Sequence, residues 1–484
     1  MLNTKSLSFA RRPRPDGRGS VTGDLLSRDR VTLRLVRLLL LLSLPVLSRA
    51  AFKAGAGRVD ITPTEPVWLS GYSARTHASE GVLMPIWTKA LAIENSPRDR
   101  IVIVTTDVIG IPREVADRVA ARLEEQYHLP RSRLLLNASH THTGPIVWPG
   151  LKNLFVLPAA EEEKLQAYQR RLIDAMVKAA GDAIESLQPA SISFGEGQAG
   201  FAVNRRLITP EGVKNSPNPD GPVDHSVPVL RITGMDGRIR VVLFGYACHN
   251  TTLTAQFYAI SGDYAGFAQH ELEKAGSGTM AMFLMLCGGD QNPNPRSTLE
   301  LAKQHGKTLA DEVQRVLTTP MREVRGPIGA SFDVIDVPFA PHNRQMFEAE
   351  LNSDIPARVL RARAMLDAYD RGKPVVSLKY PIQAFRFGQS LTLAAFGGET
   401  LVEYALAVKA RYRGEPIVVA GYSNDVMSYI ASQRALRKGG YEVVDSMAYY
   451  NQPGPLADSA EKTILDGLDA VMRRVGRKPS NVER

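Results

Sequence analysis

An α/β architecture of layered sheets with flanking helices follows from three features of the chain. From about residue 52 onward, apolar strand-like runs alternate with long amphipathic helical patterns, with no low-complexity linker and no internal repeat. Several of the runs are apolar at every position, as expected for strands covered on both faces. The composition, 44% hydrophobic and 23% charged over 484 residues, is that of a globular protein with material for one large or two medium cores.

In chain order, RIVIVTTDV (100–108) reads as a strand and REVADRVAARLEEQY (113–127) as a helix. SRLLLNAS (132–139) is a strand, and the apolar positions of the segment 161–187 recur at three- and four-residue spacing, which makes it a long helix. VPVLRI (227–232), RVVLFGYA (240–247) and TMAMFLMLC (279–287) are strands, followed by a helix over 298–317. A stretch rich in Pro and charge, 320–375, reads as an excursion rather than a boundary. LTLAAF (391–396) and PIVVAGY (416–422) are strands, and a helix over 457–475 closes the pattern.

The formal charge of +9 invites a nucleic-acid reading until it is localised. Residues 1–50 hold ten Arg or Lys against three Asp, so the rest of the chain is near +2 and a nucleic-acid partner is not expected. This basic leader runs into VRLLLLLSLPVLSRA, whose apolar core is too short for a comfortable span and whose end resembles a signal-peptide cleavage site after Ala50. The expected organisation is therefore a leader and signal peptide over 1–50, exported, and one catalytic domain over 51–484. An uncleaved N-terminal anchor is the competing reading. Cys248 and Cys287 are too few for a disulfide framework and are expected as buried free thiols.

Five strands end alike: LLLNASHTH, VVLFGYACH, FLMLCGGD, LAAFGGE and VVAGYSND each deliver a His, Asp or Glu as they leave the sheet. In open α/β sheets ligands bind outside the carboxyl ends of strands, so one site assembled from distant segments is predicted there. Glycines 288, 289, 397 and 398 permit close approach. Taken singly, His249 fits a structural histidine, and Glu399 fits a cap on the helix LVEYALAVKARY (401–412). His140 and His142 alternate, so on an extended chain they face opposite ways, one placed to ligate and the other to meet substrate. Jointly, imidazole with carboxylate suits Zn²⁺ rather than Mg²⁺ or Ca²⁺.

The ordered words GRVDITP, SGY, NASHTHTGP, NRR, ISGDYAGFA, GGDQNPNP, GGE and SYIAS…GGYE, over residues 56–445, resemble the neutral/alkaline ceramidase family of zinc amidohydrolases. The resemblance implies that His140, His249, Glu399 and Tyr429 hold one Zn²⁺, and that His142, Arg205 and Tyr441 face the substrate. It further implies hydrolysis of the N-acyl amide of ceramide or a related acylated lipid by zinc-activated water. His142, Arg205 and Tyr441 would then stabilise the tetrahedral oxygen, with His142 or Glu399 relaying a proton to the leaving amine.

Two departures from the family pattern stand out. Asn292 occupies the place of a family serine in GDQNPN, and an amide cannot serve as a hydroxyl nucleophile, so a serine-acyl route is closed while a metal-water route survives. No C-terminal immunoglobulin-like domain is expected either. The alternatives are a zinc hydrolase of another amide or ester, and a silent member that binds metal or ligand without turnover. The loop 145–158, with Trp148 and Phe155, is a candidate for peripheral membrane contact, for lining a substrate tunnel, or for packing on the body.

Overall fold

Two mixed sheets stack face to face at the centre of the molecule, and helices cover the outer face of each. The computed structural model describes residues 52–480; the leader and signal peptide expected over 1–50 lie outside the described residues. The larger sheet has nine strands. Along its path they run Met280–Met285, Ile239–Tyr246, Ser226–Gly234, Gln188–Gln198, Phe52–Asp60, Trp87–Glu94, Ile101–Thr106 and Leu134–Ala138, with Arg322–Glu323 paired to Gln188–Gln198. The smaller sheet is ordered Ile328–Pro338, Ser377–Phe387, Leu391–Phe396, Ile417–Ala420.

Within these two sheets, parallel pairing occurs where a helix carries the chain back over the sheet. Helix Arg113–Tyr127 joins Ile101–Thr106 to Leu134–Ala138, so that Val102 lies opposite Leu134. Helix Asp263–Ala275 joins Ile239–Tyr246 to Met280–Met285, with Val241 opposite Met280. In the smaller sheet, helix Val402–Arg411 joins Leu391–Phe396 to Ile417–Ala420, with Thr392 opposite Ile417. All five strands singled out above belong to these three crossovers, so their carboxyl ends emerge in the manner expected.

The core between the sheets explains the fully apolar runs. Leu91, Ile103, Leu135, Leu243 and Leu284 of the larger sheet meet Phe385, Leu393 and Val418 of the smaller, all buried. The opposite faces of the same strands are covered by helices: Arg113–Tyr127 and Ala159–Glu185 over one half, Asp263–Ala275 and Leu299–Leu317 over the other. Val402–Arg411 and Ala460–Arg474 cover the smaller sheet. The stretch 320–375 supplies the edge strand Ile328–Pro338 and the helices Arg344–Glu350 and Pro356–Asp370. Cys248 and Cys287 are both free and buried. Among the described residues no helix is long and apolar enough to cross a membrane.

One buried carboxamide ties the two ends of the larger sheet together. Asn137 accepts from Met285 N at 2.8 Å and donates to Met285 O at 3.1 Å, to Gly421 O at 2.9 Å and to the Ser423 hydroxyl at 3.1 Å. The end strands and the loop after Ile417–Ala420 are thereby held in one frame.

Candidate active site

The five carboxyl ends converge. His140 and His142 follow Leu134–Ala138, His249 follows Ile239–Tyr246, Asp290 follows Met280–Met285 and Glu399 follows Leu391–Phe396; the end of Ile417–Ala420 brings Tyr422, while its acid, Asp425, turns away to pair with Arg113 at 2.9 Å. His140 has φ 62° and Tyr422 φ 50°, the left-handed region that non-glycine residues rarely occupy. This turn at His140 corrects the expectation that His140 and His142 face opposite ways. Alternation holds only on extended chain, and with the backbone reversed at the first histidine the two Nε2 atoms come within 3.1 Å.

Backbone carbonyls set the tautomers. His140 Nδ1 lies 2.5 Å from Ile109 O and His249 Nδ1 lies 2.8 Å from Gly288 O. A carbonyl only accepts, so each Nδ1 donates, and in the neutral ring each Nε2 is left with a lone pair. Both Nε2 atoms lie 3.0 Å from the same oxygen, Glu399 Oε2. Tyr429 brings its hydroxyl to 3.2 Å from His249 Nε2. His140, His249, Glu399 and Tyr429 thus meet at one buried point, although they are scattered over nearly 290 residues of chain. His140, His142 and His249 also form the one cluster of three metal-capable side chains found among the described residues.

Electrostatics suit that arrangement. Burial, helped by Arg205, drives the His249 imidazole down to about 4, and burial with the neighbouring imidazoles holds His142 well below its ordinary value. Burial alone would push the Glu399 carboxyl up, but His140 and His249 outweigh it and keep the group well below the usual carboxylate range. Burial keeps the Tyr429 phenol well above its ordinary value, against the pull of Arg205.

Glu399 is not a helix cap. The N-terminus of Val402–Arg411 is met by Asp290, whose Oδ1 accepts from Val402 N at 2.9 Å, and burial lifts that carboxyl to about 6. Close packing here depends on Gly289, where a Cβ would fall 2.5 Å from Glu399 O.

Arg205 lies on the strand Ala202–Thr209, beside the short strand Gln291–Pro293. Its Nε donates to Glu442 Oε1 at 2.9 Å, Nη1 to Asn292 Oδ1 at 3.2 Å and Nη2 to the Tyr429 hydroxyl at 2.9 Å. Burial opposes its charge, but Tyr429 and Glu442 hold the guanidinium well above its ordinary value. The Tyr441 ring stands at 5.7 Å from that of Tyr429 and 5.9 Å from the guanidinium. Every predicted site residue is therefore in or against the cluster.

Sequence reasoning missed several partners. Tyr450 donates its hydroxyl to Glu399 Oε1, and Tyr422 does so more loosely to Oε2 at 3.4 Å. Glu442 grips both Arg205 and Arg206. Tyr72 packs its ring 4.8 Å from His142, beside Gly71, where a Cβ would fall 2.2 Å from His142 Nδ1. Glu442 and Tyr422 stand inside quoted words and were within reach; nothing in the spacing marks Tyr450.

The loop 145–158 packs on the body. Trp148, Phe155 and Leu157 border a small cluster of Val67, Ile146 and Leu165, and Phe155 lies 4.7 Å from Trp68.

Comparison with known proteins bears on the fold and the family. A neutral ceramidase of Pseudomonas aeruginosa is 29% identical over 288 residues, 56% of this chain and 41% of that protein. One of Mycobacterium tuberculosis is 24% identical over 261 residues, 50% of this chain and 40% of the relative. The aligned region thus spans about two-fifths of the length of these curated relatives. The crystal structure of the Pseudomonas aeruginosa neutral ceramidase superposes with a TM-score of 0.69 at 21% identity, over 90% of this chain and 76% of that one. A ceramidase complexed with C2 gives 0.68 at 20% identity, over 90% and 77%. Likeness at this identity speaks for the fold, while Glu399, Tyr429 and Tyr441 enter the site from beyond the family-model match. That match, to the model described as neutral/alkaline non-lysosomal ceramidase, N-terminal, runs over residues 52–316, more than half of the chain, and the chain belongs to this family.

Proposed function

We propose that this chain is an exported zinc-dependent amidohydrolase that cleaves the N-acyl amide bond of ceramide or a related acylated lipid. The observation that carries the reading is the shared focus of His140 Nε2, His249 Nε2, Glu399 Oε2 and the Tyr429 hydroxyl. Such a set is unfavourable without a cation, because lone pairs face a carboxylate in a buried space. Nitrogen and carboxylate donors at this number fit Zn²⁺. When bound, the ion supplies Lewis acidity that polarises an acyl carbonyl and lowers the pKa of coordinated water.

The remaining steps fall to side chains. Arg205 uses one hydrogen on Nε and one on each terminal nitrogen for the bonds above, which leaves one on Nη1 and one on Nη2 to receive a developing oxyanion. Tyr441 adds its phenol beside them. Glu399 has both oxygens engaged, whereas the His142 imidazole, with Nε2 beside His140 Nε2 and Nδ1 without a partner, stands next to the centre; it is the group that takes up a proton and delivers it to the leaving amine. Asn292 turns its oxygen to Arg205 and Thr251, the latter at 3.3 Å, and so presents its amide nitrogen to substrate where the family serine would present a hydroxyl. Val156, 75% exposed, is the apolar residue that the loop 145–158 offers for peripheral contact with lipid.

The test is elemental analysis joined to turnover of a panel of N-acyl lipids, N-acyl amino acids and esters, with and without chelator. About one Zn²⁺ per chain and chelator-sensitive amide cleavage are expected. Full activity in metal-free protein would end the proposal.

A further inference from the structure

A surface cavity of about 360 Å³ lies over the segment Tyr449–Gln452, and a chamber of about 10 Å³ continues inward from it. Pro112, Leu151, Val426 and Tyr450 line both. The chamber alone is also lined by Ile109, whose carbonyl takes the Nδ1–H of His140. Its other inner wall is Tyr450, whose hydroxyl donates to Glu399 Oε1. The cavity therefore ends one residue short of two of the four converging donors, at Tyr450, which follows shortly after GGYE in the chain.

A carboxylate with two free oxygens can turn about its last bond and offer either or both of them. Here Oε1 is taken by Tyr450, so that Oε2 alone faces His140 and His249. Tyr450 is itself held firmly. Its ring stands at 80° to that of Tyr429, 6.2 Å away, and the turn carrying it is pinned by Asn153 Nδ2, which donates to Ala448 O and Asn451 Oδ1, both at 3.1 Å. Asn451 follows in the left-handed region, φ 56°, closing the short helix Ser446–Tyr449.

We propose that Tyr450 is the positioning residue that fixes Glu399 in one-oxygen presentation, and that its ring seals the centre from the cavity behind it. This rests on the metal reading above. Small polar solutes reach the outer face of the ring and no further; substrate meets the centre on the side of Arg205 and Tyr441.

The test uses the full chain and two substitutions, Tyr450→Phe and Tyr450→Ala, with zinc affinity measured by chelator competition and zinc release measured into excess pyridine-2,6-dicarboxylate. Tyr450→Phe keeps the ring and loses the hydroxyl; it is expected to weaken zinc binding about 10- to 100-fold, the effect of losing a group that orients a metal ligand. Tyr450→Ala is expected to release zinc faster still than Tyr450→Phe, because the wall is gone. Wild-type affinity in Tyr450→Phe would overturn the positioning role, and equal release from the two variants would overturn the seal. If the unaltered chain binds no zinc, the metal reading itself falls and this inference with it, a result distinct from either of the others.

Discussion

Two buried polar clusters sit in this molecule and obey opposite rules. Around Lys89, 2% exposed, every hydrogen finds an acceptor: Nζ donates to Gln269 Oε1 at 3.1 Å, Glu273 Oε1 at 2.7 Å and Ala281 O at 2.8 Å. Nearby Asp107 accepts from Trp87 N at 3.0 Å and Gln269 Nε2 at 3.3 Å. Around Glu399 the reverse holds, since His140 Nε2 and His142 Nε2 turn toward each other and His142 Nδ1 has no hydrogen-bond partner. The first cluster is complete as it stands and fastens helix Asp263–Ala275 to the sheet. The second is a surplus of acceptors, the condition that a bound cation relieves. Burial and polarity alone do not separate them; the balance of donors against acceptors does.

The contrast can be broken most severely at Glu399. Glu399→Ala should abolish stoichiometric zinc and lower kcat/KM by about 10³-fold or more, a loss of the order seen when preorganised charge is removed from an active site. Lys89→Met should leave zinc stoichiometry of the folded protein intact. An Arg205→Ala variant sharpens the same line, since it should keep the metal and lose about 10²- to 10³-fold in kcat/KM, mostly in kcat; unchanged kinetics would remove Arg205 from the oxyanion role.

Stability measurements carry the comparison the other way. Lys89→Met removes the closest cation from Glu273, leaving it Ala281 N and the longer contact to Arg58, and takes the donor from Ala281 O, and should cost about 3 kcal/mol in denaturant unfolding; a loss under 1 kcal/mol would show that the cluster is ornamental.

The last effect concerns pH in metal-free protein. The folded chain holds His249 down to about 4, whereas the unfolded chain takes up that proton near 6.5. Between those values the unfolded state binds more protons, so stability should rise with pH across this window and level off above it; His249 alone contributes about 3 kcal/mol, and the depressed His142 acts in the same direction. Zinc should extend the rise to lower pH, because a metal-occupied Nε2 takes up no proton in the folded state while the unfolded chain still does. A metal-free profile that is flat from pH 4 to 7 would contradict the depressed imidazole.

Legibility tracks how a strand is covered. Ile101–Thr106, Leu134–Ala138, Met280–Met285 and Leu391–Phe396 are buried at every position and announce themselves as short runs dominated by apolar residues. Phe52–Asp60 does not, because helix Ala159–Glu185 lies so close that a Cβ at Gly55 would fall 2.1 Å from Ala183 O and one at Gly57 2.2 Å from Ala179 O. Glycines required by that contact look like loop in the sequence. Ser377–Phe387 hides for a related reason: Gln383 is a buried polar residue in mid-strand, because its amide donates to Ser132 O and Leu134 O of the larger sheet. The convergence of the His and Glu residues was readable from five like-ended strands. Tyr429 came only through family resemblance, and Tyr450 through neither, since a tyrosine that reaches a site from outside the sheets leaves no periodic trace.

The carboxamide of Asn137 has a further consequence. A nine-stranded sheet ought to end in two unpaired margins, each an invitation for a foreign strand to add and for chains to string together. Here Leu134–Ala138 and Met280–Met285 are cross-linked to each other at their carboxyl ends through that one side chain, and to the loop beyond Ile417–Ala420, so that end of each margin is occupied. The residue that keeps the histidine-bearing loop and the loop beyond Ile417–Ala420 at a fixed spacing also occupies part of the margin at which a foreign strand would add.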